Sequence, residues 1–259
     1  MPMSAIYFQS SARSADGLQR SGNEDSAFVS GRLIAVADGM GGHAGGEVAS
    51  AIAINTLEQL LPVITDPKVD VASREDLFLN ITYEVDSQIL AKSKDSPELS
   101  GMGTTLTALS ILDNNVELLH IGDSRCYRYR NNKLEQISYD HTVIQELLDL
   151  GAISQSDVAD HPQRSVLTQA LMGQGTVTPV LQIYEVKEKD RYLLCSDGLS
   201  SVLTEKEIKS LLKKSDRSDA LKALIDATYI NGAPDNVTVI VADITGEEVT
   251  TNEVLGAAQ

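Results

Sequence analysis

Leu33 to Glu47 reads LIAVADGMGGHAGGE, and the rest of the chain is arranged around it. The apolar residues Leu33 to Ala37 predict a short strand buried on both faces, ending at the carboxylate of Asp38. A glycine loop follows, with Gly39, Gly41, Gly42, Gly45 and Gly46 free to take positive φ and to let the backbone pass close to a bound group. Glu47 to Leu61 then carries apolar residues at helical spacing. A glycine loop before a helix can cradle phosphate, but this one lacks the Lys followed by Ser or Thr of the nucleotide-hydrolase loop, and Asp38 would repel an anion. A carboxylate beside a free carbonyl, such as that of Gly39, suits a hard divalent cation. A tight turn with a solvated Asp is the plain alternative.

Composition narrows the field. The 259 residues are 42% hydrophobic, enough for one domain with a sizeable core. A net charge of −16 disfavours nucleic acid and anionic membrane surfaces and favours cations. Cys126 and Cys195 each sit in an apolar run and are too few for a disulfide framework, so they read as reduced thiols of a cytoplasmic protein. No apolar run reaches the roughly 18 residues of a membrane span, and no signal peptide opens the chain. Residues 1–245 read as one catalytic domain and 246–259 as a polar tail or linker, to which a membrane anchor could be joined in a longer protein. A monomer suffices for everything in the sequence.

Along the chain, strands are expected at Ile6 to Ala12 and Ser26 to Ser30, joined by a turn-rich loop that holds Arg20, Glu24 and Asp25. That loop reads equally as a solvated turn or as a site in which Arg20 forks two phosphate oxygens. Helices are expected over Glu47 to Leu61 and Ser73 to Lys92, packed side by side on one face of a sheet. Four strand-like runs from Gly103 to Ile137, with turns at Asp113-Asn114, Gly122-Asp123 and Asn131-Asn132, read as an antiparallel meander. Residues 140–178 are irregular, with helical pattern near Val143 to Leu150 and Ser165 to Leu171, and read as an inserted flap. Strands resume at Val180 to Val186 and Arg191 to Cys195. A capped helix (Thr204 to Leu212), a second helix (Ser218 to Tyr229) and a last strand (Val237 to Asp243) follow.

Asp38, Asp123, Asp197 and Asp235 all stand at strand ends or sheet turns. If those ends share one edge of a sandwich, they form an all-oxygen site for two or more hard cations.

Six stretches in order, RSGNED (20–25), VADGMGGHAGGE (36–47), GMGTT (101–105), HIGDSR (120–125), LLCSDGLS (193–200) and PDNVTV (234–239), resemble the protein phosphatase 2C family in its compact bacterial form. These are metal-dependent Ser/Thr protein phosphatases, and the likeness runs over about residues 5–243. It implies an α+β fold: a four-layer α-β-β-α sandwich, two antiparallel sheets flanked by pairs of helices. It implies two Mn²⁺ or Mg²⁺ ions bridged by Asp38, with the Gly39 carbonyl on one and Asp197 and Asp235 on the other. Asp25, and less directly Glu24, would hold metal-bound water. The third ion of many bacterial relatives would map to Asp123 and Asp197, with Ser165 of the flap completing it.

The resemblance also implies hydrolysis of phosphoserine and phosphothreonine in proteins by a water or hydroxide bridging the two ions, with Arg20 on the phosphoryl oxygens and no phosphoenzyme. Phosphorylated proteins, Ser/Thr protein kinases and their targets would be the partners. Met40 stands where many eukaryotic relatives carry a histidine acid, which leaves His43 as the loop's candidate proton donor beside a structural role. Two rivals remain: a serine hydrolase using Ser124 of the Gly122-Asp123-Ser124 triplet, and a pseudophosphatase that binds without turnover.

Overall fold

The fully buried strand predicted at Leu33 to Ala37 is the centre of one of two antiparallel sheets. In the computed structural model, which describes residues 5–41, 45–66, 68–158 and 161–259, the strands in chain order are β1 (Tyr7–Ala15), β2 (Asp25–Val29), β3 (Leu33–Met40), β4 (Gly103–Thr104), β5 (Leu106–Leu112), β6 (Asn115–Ile121), β7 (Arg125–Arg130), β8 (Lys133–Gln136), β9 (Val180–Glu185), β10 (Arg191–Cys195), β11 (Val237–Thr245) and β12 (Glu253–Gly256). The helices are α1 (Gly45–Ile64), α2 (Val71–Asp95), α3 (Val143–Asp149), α4 (Asp197–Ser200), α5 (Glu205–Leu212) and α6 (Arg217–Ile230). One sheet runs β1-β11-β10-β7-β8, the other β12-β2-β3-β5-β6-β9 with β4 beside β3.

Alternation along β3 sets the layers. Leu33, Ala35 and Ala37 point at α1 and α2, where Ala53, Leu57, Phe78, Ile81 and Val85 complete an outer core. Ile34 and Val36 point the other way, into the space between the sheets, against Phe8, Tyr192 and Ile240. On the far side Leu193, Val239 and Val241 pack under Leu199, Ile208 and Leu224 of the second helix group. This is the expected α-β-β-α sandwich. The period of two is hidden in the sequence because both faces of β3 are apolar.

Four expectations are corrected. The run from Gly103 to Ile137 is not one meander: β5 and β6 lie in one sheet and β7 and β8 in the other, so the turn at Gly122 (φ +107°) carries the chain between layers. The strand through Asp38 does not stop there but continues to Met40, because Gly39 and Met40 pair with Thr104 and Gly103 of β4. Ser165 to Leu171 is not helical: Leu167 and Leu171 bridge Thr142 and Thr104, which fixes that backbone as a strap. Residues 246–259 are not a free polar tail, since β12 pairs with β2, Leu255 is buried, and Ala257 N–H donates to the carbonyl of Asp25 at 2.9 Å.

Candidate metal and phosphate site

The carboxylates singled out in the sequence converge because the strands that carry them end at one edge of the sandwich. Asp38 on β3 and Asp25 on β2 are direct cross-strand partners. Asp197 opens α4 just past β10, Asp235 precedes β11, and Asp123 sits in the turn between the layers. Asp38, Asp123, Asp197 and Asp235 line one cleft of about 660 Å³ together with Arg20, Glu24, Gly39, Met40 and Thr105. Ser165, Leu167, Gln169, Met172, Gln174 and Thr176 also line it, so the inserted segment borders the cleft. Asp25 lies beneath the cleft floor, fully buried, and accepts from Ser196 Oγ at 2.7 Å. His43, the candidate proton donor, lies outside the described residues.

The glycines have a different task from the one the sequence suggests. Of those described in the 39–46 loop, Gly41 takes a positive φ, whereas Gly39 is extended. A β-carbon on Gly39 would stand 2.2 Å from the Gly46 carbonyl oxygen and 2.4 Å from that of Glu24. Gly39 is therefore needed so that the first turn of α1 and the Glu24 loop can close on the end of β3.

Hydrogen bonds fix the floor. Thr105 breaks the strand between β4 and β5; its Oγ1 accepts from Asp38 N–H at 2.9 Å and its own N–H donates to the Asp38 carbonyl at 2.9 Å. Asn236 is buried and ties two loops together: Glu24 N–H donates to its Oδ1 at 3.0 Å, and its Nδ2 donates to the Gly22 carbonyl at 2.8 Å. Arg20, half exposed at the rim, donates to Asp235 Oδ2 at 2.5 Å. The sequence reading did not single out Thr105, Ser196 or Asn236. Each lies inside a quoted motif, next to or near an aspartate, but a hydroxyl or amide in a turn carries no sign of which backbone it serves.

Electrostatically the cluster is under strain. Burial, then the Asp25, Asp197 and Asp123 charges, raises Asp38 well above the ordinary carboxylate range. Burial likewise pushes Asp25 and Asp123 up to about 7, with Asp197 adding to both and hydrogen bonds from Ser196 and Thr238 opposing it at Asp25. Asp197 is raised by burial and by the Asp235 charge, with the neighbouring Asp38 side chain, Arg20 and Arg125 opposing.

Among the described residues no three His, Cys, Asp or Glu side chains form a closed metal cage. The donor set suits hard cations that keep several waters and take one or two carboxylates each, with a carbonyl such as that of Gly39 beside them. Charge of that sign would reverse every one of these raised pKa values.

Ser124 does not face the cleft. It is fully buried, and its Oγ lies 2.8 Å from Thr105 Oγ1.

Comparison with known proteins bears on the family and the fold. Residues 19–228 match the family model described as protein phosphatase 2C. The chain is 43% identical over 239 residues to the serine/threonine protein phosphatase PstP of Mycobacterium tuberculosis, covering 92% of this chain and 45% of that protein. It therefore spans a little under half the length of that relative. It is 35% identical over 242 residues to the serine/threonine phosphatase Stp of Listeria welshimeri, covering 89% of this chain and 94% of the relative. A crystal structure of the PstP catalytic domain in complex with two manganese ions superposes with a TM-score of 0.85 at 40% identity, over 93% of this chain and all of that one.

Proposed function

The chain belongs to the protein phosphatase 2C family, and from that premise we propose that it hydrolyses phosphoserine and phosphothreonine in proteins with the help of Mn²⁺ or Mg²⁺. The observation that carries the proposal is the gathering of half-buried, mutually repelling carboxylates in a cleft with Arg20 at its rim. In this reading Asp38, the Gly39 carbonyl, Asp197 and Asp235 hold two cations. Asp25 and Glu24 order the water around them, and Asp123 with Asp197 and Ser165 offers a place for a third. When bound, such cations supply Lewis acidity, which makes water nucleophilic near neutral pH and offsets charge on a phosphoryl group.

The chain's own groups supply orientation. Thr105 fixes the Asp38 backbone from both sides. Asn236 holds the Glu24 loop against the start of β11 and so sets where Arg20 leaves the surface. Arg20, released from Asp235, presents its paired donors to two phosphoryl oxygens. Attack by water needs no phosphoenzyme, and the engaged, buried Ser124 supports that reading over a serine nucleophile. Among the described residues no histidine lines the cleft, and His43 lies outside them, so the proton for the leaving oxygen comes in this reading from water or from that loop histidine.

We further infer a monomer acting on the products of Ser/Thr protein kinases in the cytoplasm, where the buried thiols of Cys126 and Cys195 stay reduced. α1 has the length and mean hydropathy, 1.2, of a membrane span, but it is a layer of the sandwich.

The test is phosphate release from a phosphothreonine peptide with Mn²⁺ against excess chelator, for the wild type and Asp38→Ala. Metal-dependent turnover lost in the variant supports the proposal. Metal-induced stabilisation without turnover by the wild type points instead to a pseudophosphatase.

A further inference from the structure

Asp86 lies on α2, outside the carboxylate cleft, and is 5% exposed. No basic side chain pairs with it among the ion pairs of the described residues. Its partners are three backbone amides of the strap that forms the cleft's outer wall. Oδ1 accepts from Met172 N–H at 3.0 Å and Gly173 N–H at 2.7 Å, and Oδ2 accepts from Gly175 N–H at 2.7 Å. Gly173 and Gly175 take φ of +73° and +65°, which turns successive N–H groups inward onto one anion. The strap is also pressed directly onto α2: a β-carbon on Gly173 would stand 2.8 Å from Leu90 Cα.

The residues this turn positions, Met172, Gln174 and Thr176, line the same cleft as Arg20 and Asp235. They are polar or flexible apolar side chains with no carboxylate among them, suited to the backbone and flanking side chains of an extended peptide. We propose that Asp86 is a positioning residue: it fixes the Met172–Thr176 wall so that a phosphopeptide, as distinct from its phosphate group alone, is held for hydrolysis. This rests on the phosphatase reading above.

The geometry separates this role from that of the carboxylate cluster. Asp86 touches the wall through backbone amides alone, and the wall's other attachment, the Thr104–Leu171 bridge at 2.9 and 3.0 Å, stays intact without it. Loss of the carboxylate therefore loosens residues 172–176 without moving Asp38. Asn at this position keeps an oxygen for Met172 and Gly173 but sets an amide N–H₂ against Gly175 N–H, which orphans that donor.

The experiment compares wild type, Asp86→Asn and Gly173→Ala, the last disturbing the same wall from the Leu90 side. KM and kcat are measured for a phosphothreonine peptide and for a small aryl phosphate with Mn²⁺, and amide hydrogen exchange is followed at residues 172–176. The expected result is a KM for the peptide raised about tenfold in both variants, aryl phosphate turnover changed by less than about twofold, and faster exchange confined to the strap.

Equal losses on both substrates, tracking the drop in Tm, would make Asp86 a folding residue and overturn the proposal. So would unchanged peptide KM with the strap amides deprotected. A wild type that hydrolyses neither substrate while those amides are protected would sink the phosphatase reading, and the peptide-holding role with it.

Discussion

Asp25 and Asp38 are paired residue for residue across β2 and β3, two carboxylates directly opposite where the strands reach the cleft, Asp25 buried and Asp38 half-buried. Like charges so placed oppose folding. In chelator at pH 8, Asp38→Asn should therefore melt above the wild type by about 2–4 °C, equivalent to roughly 1 kcal/mol. Added Mn²⁺ should raise the wild type and leave the variant almost unmoved. A variant that melts lower than the wild type in chelator would mean that the pair is not repulsive.

Thr105 and Ser124 touch through their hydroxyls but should differ on substitution. Thr105→Val removes the acceptor for Asp38 N–H and should cost about 1–3 kcal/mol of stability and at least tenfold in kcat. Ser124→Ala should keep most of the turnover. Steady-state kinetics on both variants decide the matter, and total loss in a folded Ser124→Ala protein would return the serine-hydrolase reading.

Arg20 and Asp235 form an ion pair whose side chains are 47% and 32% exposed. Such a pair adds little to stability. Arg20→Ala should leave Tm within about 2 °C, while the KM for a phosphopeptide rises about tenfold and Arg20→Lys restores only part of it. Melting curves beside Michaelis curves read both effects.

Glu117 supplies a pH dependence independent of the cleft. It is 2% exposed on β6 and its Oε1 has no hydrogen-bond partner. Burial, then the Glu75 charge, raises its carboxyl from 4.5 to about 7, with Arg74 opposing. The folded state therefore holds this proton more tightly than the unfolded chain does. Its stabilising contribution is complete below about pH 4.5 and is lost as the pH rises through about 7. Glu117→Gln should flatten that decline and raise Tm at pH 8 by about 3–6 °C, or ~1–2 kcal/mol. Identical pH profiles of Tm for the two proteins would refute it.

Where the sequence was informative, it was so through local grammar. The buried strand at Leu33 to Ala37, the Thr204–Glu207 capping box and the Asp at each strand end are each settled by a few neighbouring residues. What it concealed depends on distant partners. Nothing in the turn at Gly122-Asp123 tells a hairpin from a crossing between sheets, because both need only a sharp turn. Apolar spacing in Leu167 and Leu171 suits a helix as well as two bridges to separate strands. The 246–259 segment is polar because β12 is an edge strand, with Leu255 buried on one face and Val254 and Ala258 half-buried against the outer core. Most site residues that were legible bear charge, whereas those that were not, such as Thr105 and Asn236, act through hydrogen bonds to backbone.

The pairing of β1 with β11 and of β12 with β2 joins the first strands of the chain to its last. During synthesis, then, Asp25 and Asp38 emerge early but must wait for Asp197, Asp235 and the strand that backs Asp25. A nascent or clipped chain stopping short of β11 lacks the strand that joins β1 to β10 in the second sheet, and lacks β12 beside β2 in the first. The order of translation thus leaves completion of the proposed site to a late step, when β11 joins β1 to β10.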